Sequence, residues 1–134
     1  MGLEISQRER EGVVLLDLRG RITIGEEASR FRDAFVKVGA QPSPRLLLNM
    51  LEVDYVDSTG LGALVMCATH MRNSNGVAKL VNVNRRNIEL LVMTKIDAIF
   101  EVFDDETDAI NSFFPGRTVK RFDILSFVRQ MNEE

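Results

Sequence analysis

An α/β fold, a mixed β-sheet of about four to five strands with helices packed against it, is what three features of the sequence predict. Apolar runs of strand length recur between segments whose apolar residues keep helical spacing. Turn-forming residues fall at the junctions, as in Glu11-Gly12, Gln41-Pro42-Ser43-Pro44 and Asn75-Gly76. The chain has 134 residues, which suits a single domain able to bury a core of its own.

Each element has its own justification. Leu3–Glu9 and Val13–Arg19 read as two strands turned at Glu11-Gly12, with Val14, Leu16 and Leu18 on one face by period two. Glu26–Val38 reads as a helix with Ala28, Phe31, Phe35 and Val38 on one side and Gly39 as a stop. The proline loop then leads into Arg45–Leu51, a continuous apolar run expected to be a buried strand. A helix follows from Ser58 to about Asn73, broken at Asn75-Gly76, and Val77–Val83 returns as a strand. Asn84 caps a short helix through Val92, Ile99–Phe103 makes the last strand, and Asp105–Phe114 a last helix of the domain. Residues 1–114 thus form the domain and 115–134 an extension. The linker Pro115-Gly116-Arg117-Thr118 is followed by Phe122, Leu125, Val128 and Met131 at helical spacing, with Ile124 beside them. Such a short amphipathic helix needs a surface to pack on. Its own domain is the expected one, and a homodimer or a partner is the alternative.

Composition narrows the function classes. A formal net charge of −3 gives no basic footprint for nucleic acid. Met1-Gly2-Leu3-Glu4 leads into a charged strand rather than a signal sequence, and the apolar runs are too short to span a bilayer. One cysteine excludes an internal disulfide framework. The expectation is a cytoplasmic protein without membrane insertion. Cys67 and His70 sit at i and i+3, yet two ligands make no metal site, so Cys67 is read as core and His70 as surface. No metal and no cofactor are expected. No Gly-x-Gly-x-x-Gly, no lysine after the glycines and no base–nucleophile set argue for an enzyme or a nucleotide site.

The segment richest in information is Asp54-Tyr55-Val56-Asp57-Ser58-Thr59-Gly60-Leu61-Gly62. It sets a hydroxyl pair on a strand-to-helix turn, where backbone N–H groups are free. Two glycines in the first turn each cost about 1 kcal/mol against alanine, and a broken local rule often marks a site. Asp57 or Ser58 also serves as an N-cap, and a glycine there permits close strand–helix packing. Asp57-Ser58-Thr59-Gly60-Leu61-Gly62, after the strand Leu46–Leu51, with Gly20-Arg21-Ile22 before it and Val77–Asn82 after, resembles the STAS family over about residues 3–114. That family comprises anti-sigma factor antagonists and the cytoplasmic domains of sulphate transporters.

The resemblance implies a single STAS-like domain whose Ser58 is the phosphoacceptor. It implies a partner surface formed by Thr23, Gly25, Asp57, Ser58, Thr59, Gly60 and Leu61, with the Thr23–Gly25 turn beside the Ser58 turn. In the antagonist branch the unphosphorylated form binds an anti-sigma factor that is also a serine kinase, releasing a sigma factor, and a serine phosphatase later restores the hydroxyl. The expected role is therefore a phosphorylation-controlled binding protein, not an enzyme. The alternative is a non-phosphorylated STAS module, an accessory subunit of a lipid-transport ABC system or a scaffold of a signalling complex. Two positions depart from the family pattern: Thr23 stands where many antagonists carry an acidic residue, and Asn49 where many have Asp.

Overall fold

The computed structural model describes residues 2–133, and its strands follow the apolar runs. They are β1 (Leu3–Arg10), β2 (Val13–Ile22), β3 (Arg45–Val56), β4 (Val77–Val81) and β5 (Val102–Phe103). The helices are α1 (Glu26–Gly39), α2 (Ser58–Asn73), α3 (Arg85–Met93), α4 (Glu106–Asn111) and α5 (Ile124–Glu133), with a 3-10 turn at Ile96–Ala98. One five-stranded sheet runs in the order β1-β2-β3-β4-β5. The β1–β2 hairpin is antiparallel and the remaining pairings are parallel, so the sheet is mixed as expected.

Parallel strands buried on both faces carry continuous apolar runs, and the pleat sends alternate residues to opposite sides. Val14, Leu16, Leu18, Leu46 and Leu48 meet Phe31 and Phe35 of α1, Leu64 and Cys67 of α2, and Ile88 and Leu91 of α3 in the main core. Val13, Leu15, Leu47, Val81 and Phe103 face the other way, onto Ala109 and Ile110 of α4. Each large aliphatic or aromatic side chain so buried contributes about 1.5–3 kcal/mol. Lys79, buried on β4, reaches the α4 end of this second core. Its Nζ donates to the Ser112 carbonyl and hydroxyl, both at 3.0 Å, and lies 3.2 Å from a Glu101 carboxylate oxygen.

Three expectations need correction. β3 runs on to Val56, beyond the predicted end at Leu51. Its register against β2 slips twice: Asp17 faces Asn49 but Arg19 faces Glu52, and Gly20 faces Val53 but Arg21 faces Tyr55. The slips break the period-two alternation, which is why the strand's second half does not read as one. The predicted strand Ile99–Phe103 shrinks to Val102–Phe103, because Ile96–Ala98 takes a 3-10 turn and Phe100 drops into the main core. His70, read as a surface residue, is half-buried with its ring 5.7 Å from that of Phe35.

The C-terminal helix docks on its own domain, against α3. Met131 is buried, Phe122, Ile124, Phe127 and Val128 pack against the main core, and Leu125 remains 54% exposed. The Phe122 and Phe127 rings lie 5.6 Å apart.

Candidate functional site

The end of β3 and the start of α2 form a tight turn because Asp57 caps the helix with its side chain. Its Oδ1 accepts a hydrogen bond from the Gly60 N–H at 2.8 Å, and its Oδ2 accepts one from the Ile24 N–H at 2.9 Å. One carboxylate thus ties the Thr23–Gly25 loop to the first turn of α2. These N–H donors, Ile24 first and then Gly60, hold the carboxyl below the usual carboxylate range. The backbone adds two bonds: Asp57 N–H donates to the Ile22 carbonyl at 3.3 Å and Leu61 N–H to the Asp57 carbonyl at 2.9 Å.

Thr23 and Gly25 open α1. The Ala28 N–H donates to the Thr23 carbonyl and the Ser29 N–H to the Gly25 carbonyl. Gly25 is the N-cap at φ 101°, a backbone conformation that disfavours any side chain. The turn does lie beside that of Ser58, through the Asp57 bridge.

Ser58 and Thr59 are exposed, and among the described residues neither hydroxyl has a hydrogen-bond partner. The Thr59 hydroxyl is thus not bonded within the first helical turn. Leu61 is half-buried against the main core. Gly60 is buried, and a Cβ there would overlap the Ile22 carbonyl oxygen and crowd Val56. Its missing side chain lets α2 approach the end of β2. Space on the solvent side comes from Gly62, where an added Cβ meets nothing within 4 Å.

Two grooves flank the turn. One, between α2 and α3, is lined by Tyr55, Ser58, Leu61, Arg86, Leu90 and Met93. The other, between α1 and α2, is lined by Ala28, Arg32, Thr59, Gly62 and Met66 among others. Several exposed apolar side chains stand around them: Ile24 is 72% exposed and Met93 79%, with Tyr55 and Met66 close to half. Sequence reading met Tyr55 only as part of the Asp54–Gly62 segment and left out Ile24, Met66 and Met93. The one local signal for the missed residues was an aliphatic residue, Ile24, set between Thr23 and Gly25 in a turn. Met93 arrives from α3 only through the tertiary fold, and Arg86, which in sequence reads as solvated charge at a helix start or a contact for an acidic partner, reaches the same groove.

Other sequence candidates lie elsewhere. Asp54 lines the open sheet face with Glu4, Arg19 and Glu52, not the Ser58 groove. Asn49 also belongs to that face: its Nδ2 donates to Asp17 Oδ1 at 2.8 Å, and its Oδ1 accepts from Asn82 Nδ2 at 3.3 Å. Since Asp17 is already ionised and paired with Arg8, an amide at position 49 avoids a second negative charge against it. Cys67 is fully buried, and burial pushes its thiol above the usual range, so it is a poor nucleophile. Among the described residues, no three His, Cys, Asp or Glu side chains gather to hold a metal ion, and no helix is long and apolar enough to cross a membrane.

Comparison with known proteins places this geometry in a family. The STAS domain model matches residues 4–109, and the chain belongs to that family. It is 26% identical to the anti-sigma-B factor antagonist of Bacillus subtilis over 102 residues, 76% of this chain and 92% of the relative. It superposes with a TM-score of 0.74 on the crystal structure of a candidate anti-sigma factor antagonist from Thermotoga maritima, at 24% identity over 81% of this chain and 92% of the other. The cell fate determinant SpoIIAA of Bacillus, solved in its phosphorylated form, gives a TM-score of 0.64 at 14% identity, over 83% of this chain and 100% of the other.

Proposed function

We propose that this protein is an anti-sigma factor antagonist whose binding is switched by phosphorylation of Ser58. The observation that carries the reading is an exposed hydroxyl, without a partner among the described residues, on a turn flanked by two grooves. One groove holds the exposed side chains of Tyr55 and Met93 and the second that of Met66, while the exposed Ile24 is tied to the same turn through Asp57. Solvent-exposed apolar side chains gathered around one polar group are what a protein partner can cover. The relatedness to an antagonist of Bacillus subtilis supports the same role.

In this reading the unphosphorylated chain holds an anti-sigma factor that is also a serine kinase, with Thr23, Gly25, Asp57, Ser58, Thr59, Gly60 and Leu61 at the contact. The Ser58 Oγ attacks the γ-phosphorus of ATP bound to that kinase. The Oγ–P bond forms as the bond to the β–γ bridging oxygen breaks, ADP leaves, and the hydroxyl proton passes to a base of the kinase. A serine phosphatase reverses the state with water, releasing inorganic phosphate. The added charge, about −1.5 to −2 at pH 7, sits beside the Asp57 carboxylate and repels a closely packed partner. The chain acts as a binding module in the cytoplasm and supplies no catalysis and no cofactor of its own.

The test is a pull-down with wild-type, Ser58→Ala and Ser58→Asp baits. An ATP-binding serine kinase held by the first two in ADP, lost by Ser58→Asp, and released from wild type but not from Ser58→Ala on adding ATP supports the switch. ABC-transporter or scaffold proteins held equally by all three baits overturn it in favour of the non-phosphorylated module.

A further inference from the structure

We propose that a phosphate on Ser58 is held by Arg86 across the groove between α2 and α3, so that the modified chain closes this groove on itself. The inference rests on Ser58 as phosphoacceptor and adds how the phosphorylated site is shut.

Three observations lead to it. First, Ser58 and Arg86 line the same groove from opposite walls. Arg86, Leu90 and Met93 recur at i, i+4 and i+7, so one face of α3 presents the guanidinium beside two apolar side chains. Second, Arg86 is exposed and has no hydrogen bond or ion pair with any described residue, whereas Arg8, Arg10 and Arg121 are each held by a glutamate. Its charge is uncommitted. Third, the Asp57 carboxylate already occupies the Gly60 and Ile24 N–H groups at the helix entrance. A phosphate at Ser58 is therefore shut out of those two donors and pushed from Asp57 by like charge. The cation across the groove is the counter-charge open to it.

An arginine suits the task, because its planar guanidinium gives two parallel N–H donors to two phosphate oxygens. No covalent bond forms in the latch. Drawing Arg86 across the groove also lays its side chain over Leu61, Leu90 and Met93, which the unmodified chain leaves open to a partner. Thr59 discriminates: it lines the α1–α2 groove with Arg32, so a phosphate there would face a different cation.

The test uses the whole chain with phosphoserine installed at position 58 by codon expansion, independent of any kinase. The second ionisation of the phosphate is followed by phosphorus NMR against pH. Asp57 and Glu89, the acidic groups lining the same groove, oppose that ionisation in every variant. The latch predicts a midpoint about half a pH unit lower in the wild type than in Arg86→Ala, partial recovery in Arg86→Lys, and no change in Arg32→Ala. Identical titrations for wild type and Arg86→Ala overturn it, and so do equal shifts for Arg86→Ala and Arg32→Ala, which would report only the protein's overall field. Failure of the pull-down with an intact titration difference would overturn the cellular switch and leave the latch; the reverse pattern would overturn the latch alone.

Discussion

Asp57 makes two hydrogen bonds to two different segments, and its removal is predicted to have a pH signature. Replacing an N-cap aspartate by alanine costs about 1 kcal/mol, so Asp57→Ala should be less stable than wild type by about that much at pH 7. The carboxyl is held below its ordinary range in the folded chain, by the Ile24 and Gly60 N–H groups. Its contribution is full above the unfolded value, near pH 3.9, and disappears as pH falls through the lower folded value. Urea denaturation of both proteins between pH 7 and pH 2 should show curves that converge at the acid end. A gap constant across that range would show that ionisation of Asp57 is not involved. Gly60 makes a separate prediction. The added methyl in Gly60→Ala would strike the Ile22 carbonyl, and overpacking of this kind costs about 1–3 kcal/mol; Gly62→Ala, with open space around it, should be neutral or slightly stabilising by the same denaturation assay.

At the scale of the element, α4 and α5 test how the periphery is fastened. Glu106 at the start of α4 accepts from Arg8 and Arg10 of β1, and Arg8 also pairs with Asp17 of β2. These groups are partly exposed, so Glu106→Gln should cost no more than about 1 kcal/mol, and the difference should shrink in molar salt. For α5, burial of Met131 predicts that Met131→Ala loses about 2 kcal/mol, at the low end for a core methionine because a terminal helix can readjust. Leu125→Ala, on the exposed side of the same helix, should change little. Equal losses for the two variants in thermal unfolding would mean that α5 does not dock by this face. Elements with one uninterrupted period, such as α1 or the Val13–Arg19 strand, were legible in the sequence. The second half of β3 was not, because two register slips and the poor strand formers Glu52 and Asp54 hide its pattern. The site divides the same way. Asp57-Ser58-Thr59-Gly60 is contiguous and carries its own signal, while Arg86 and Met93 join it only because α3 and α2 bury residues in the same core and line one groove.

Taken whole, the molecule keeps its two sheet edges unattractive to other strands and places its two most exposed apolar side chains, Ile24 and Met93, near the Ser58 turn. Edge strand β1 bears Glu4, Arg8, Glu9 and Arg10, and edge strand β5 is two residues long. Ile24 and Met93, by contrast, stand in solvent beside Ser58. Changing both to lysine should leave folding stability within about 0.5 kcal/mol of wild type, since neither contributes to the core. Partner affinity should fall by more than tenfold in a titration calorimeter. Unchanged affinity would place the contact surface elsewhere on the fold.

The bridge from Asp57 to Ile24 and Gly60 has a kinetic consequence. The turn proposed to meet a partner is ordered when the chain folds, so the entropy of fixing it is not charged again at encounter. Association should then follow a single exponential whose rate grows linearly with partner concentration, without the plateau that a slow loop rearrangement imposes. In Asp57→Ala, where the loop is cut free, that plateau should emerge.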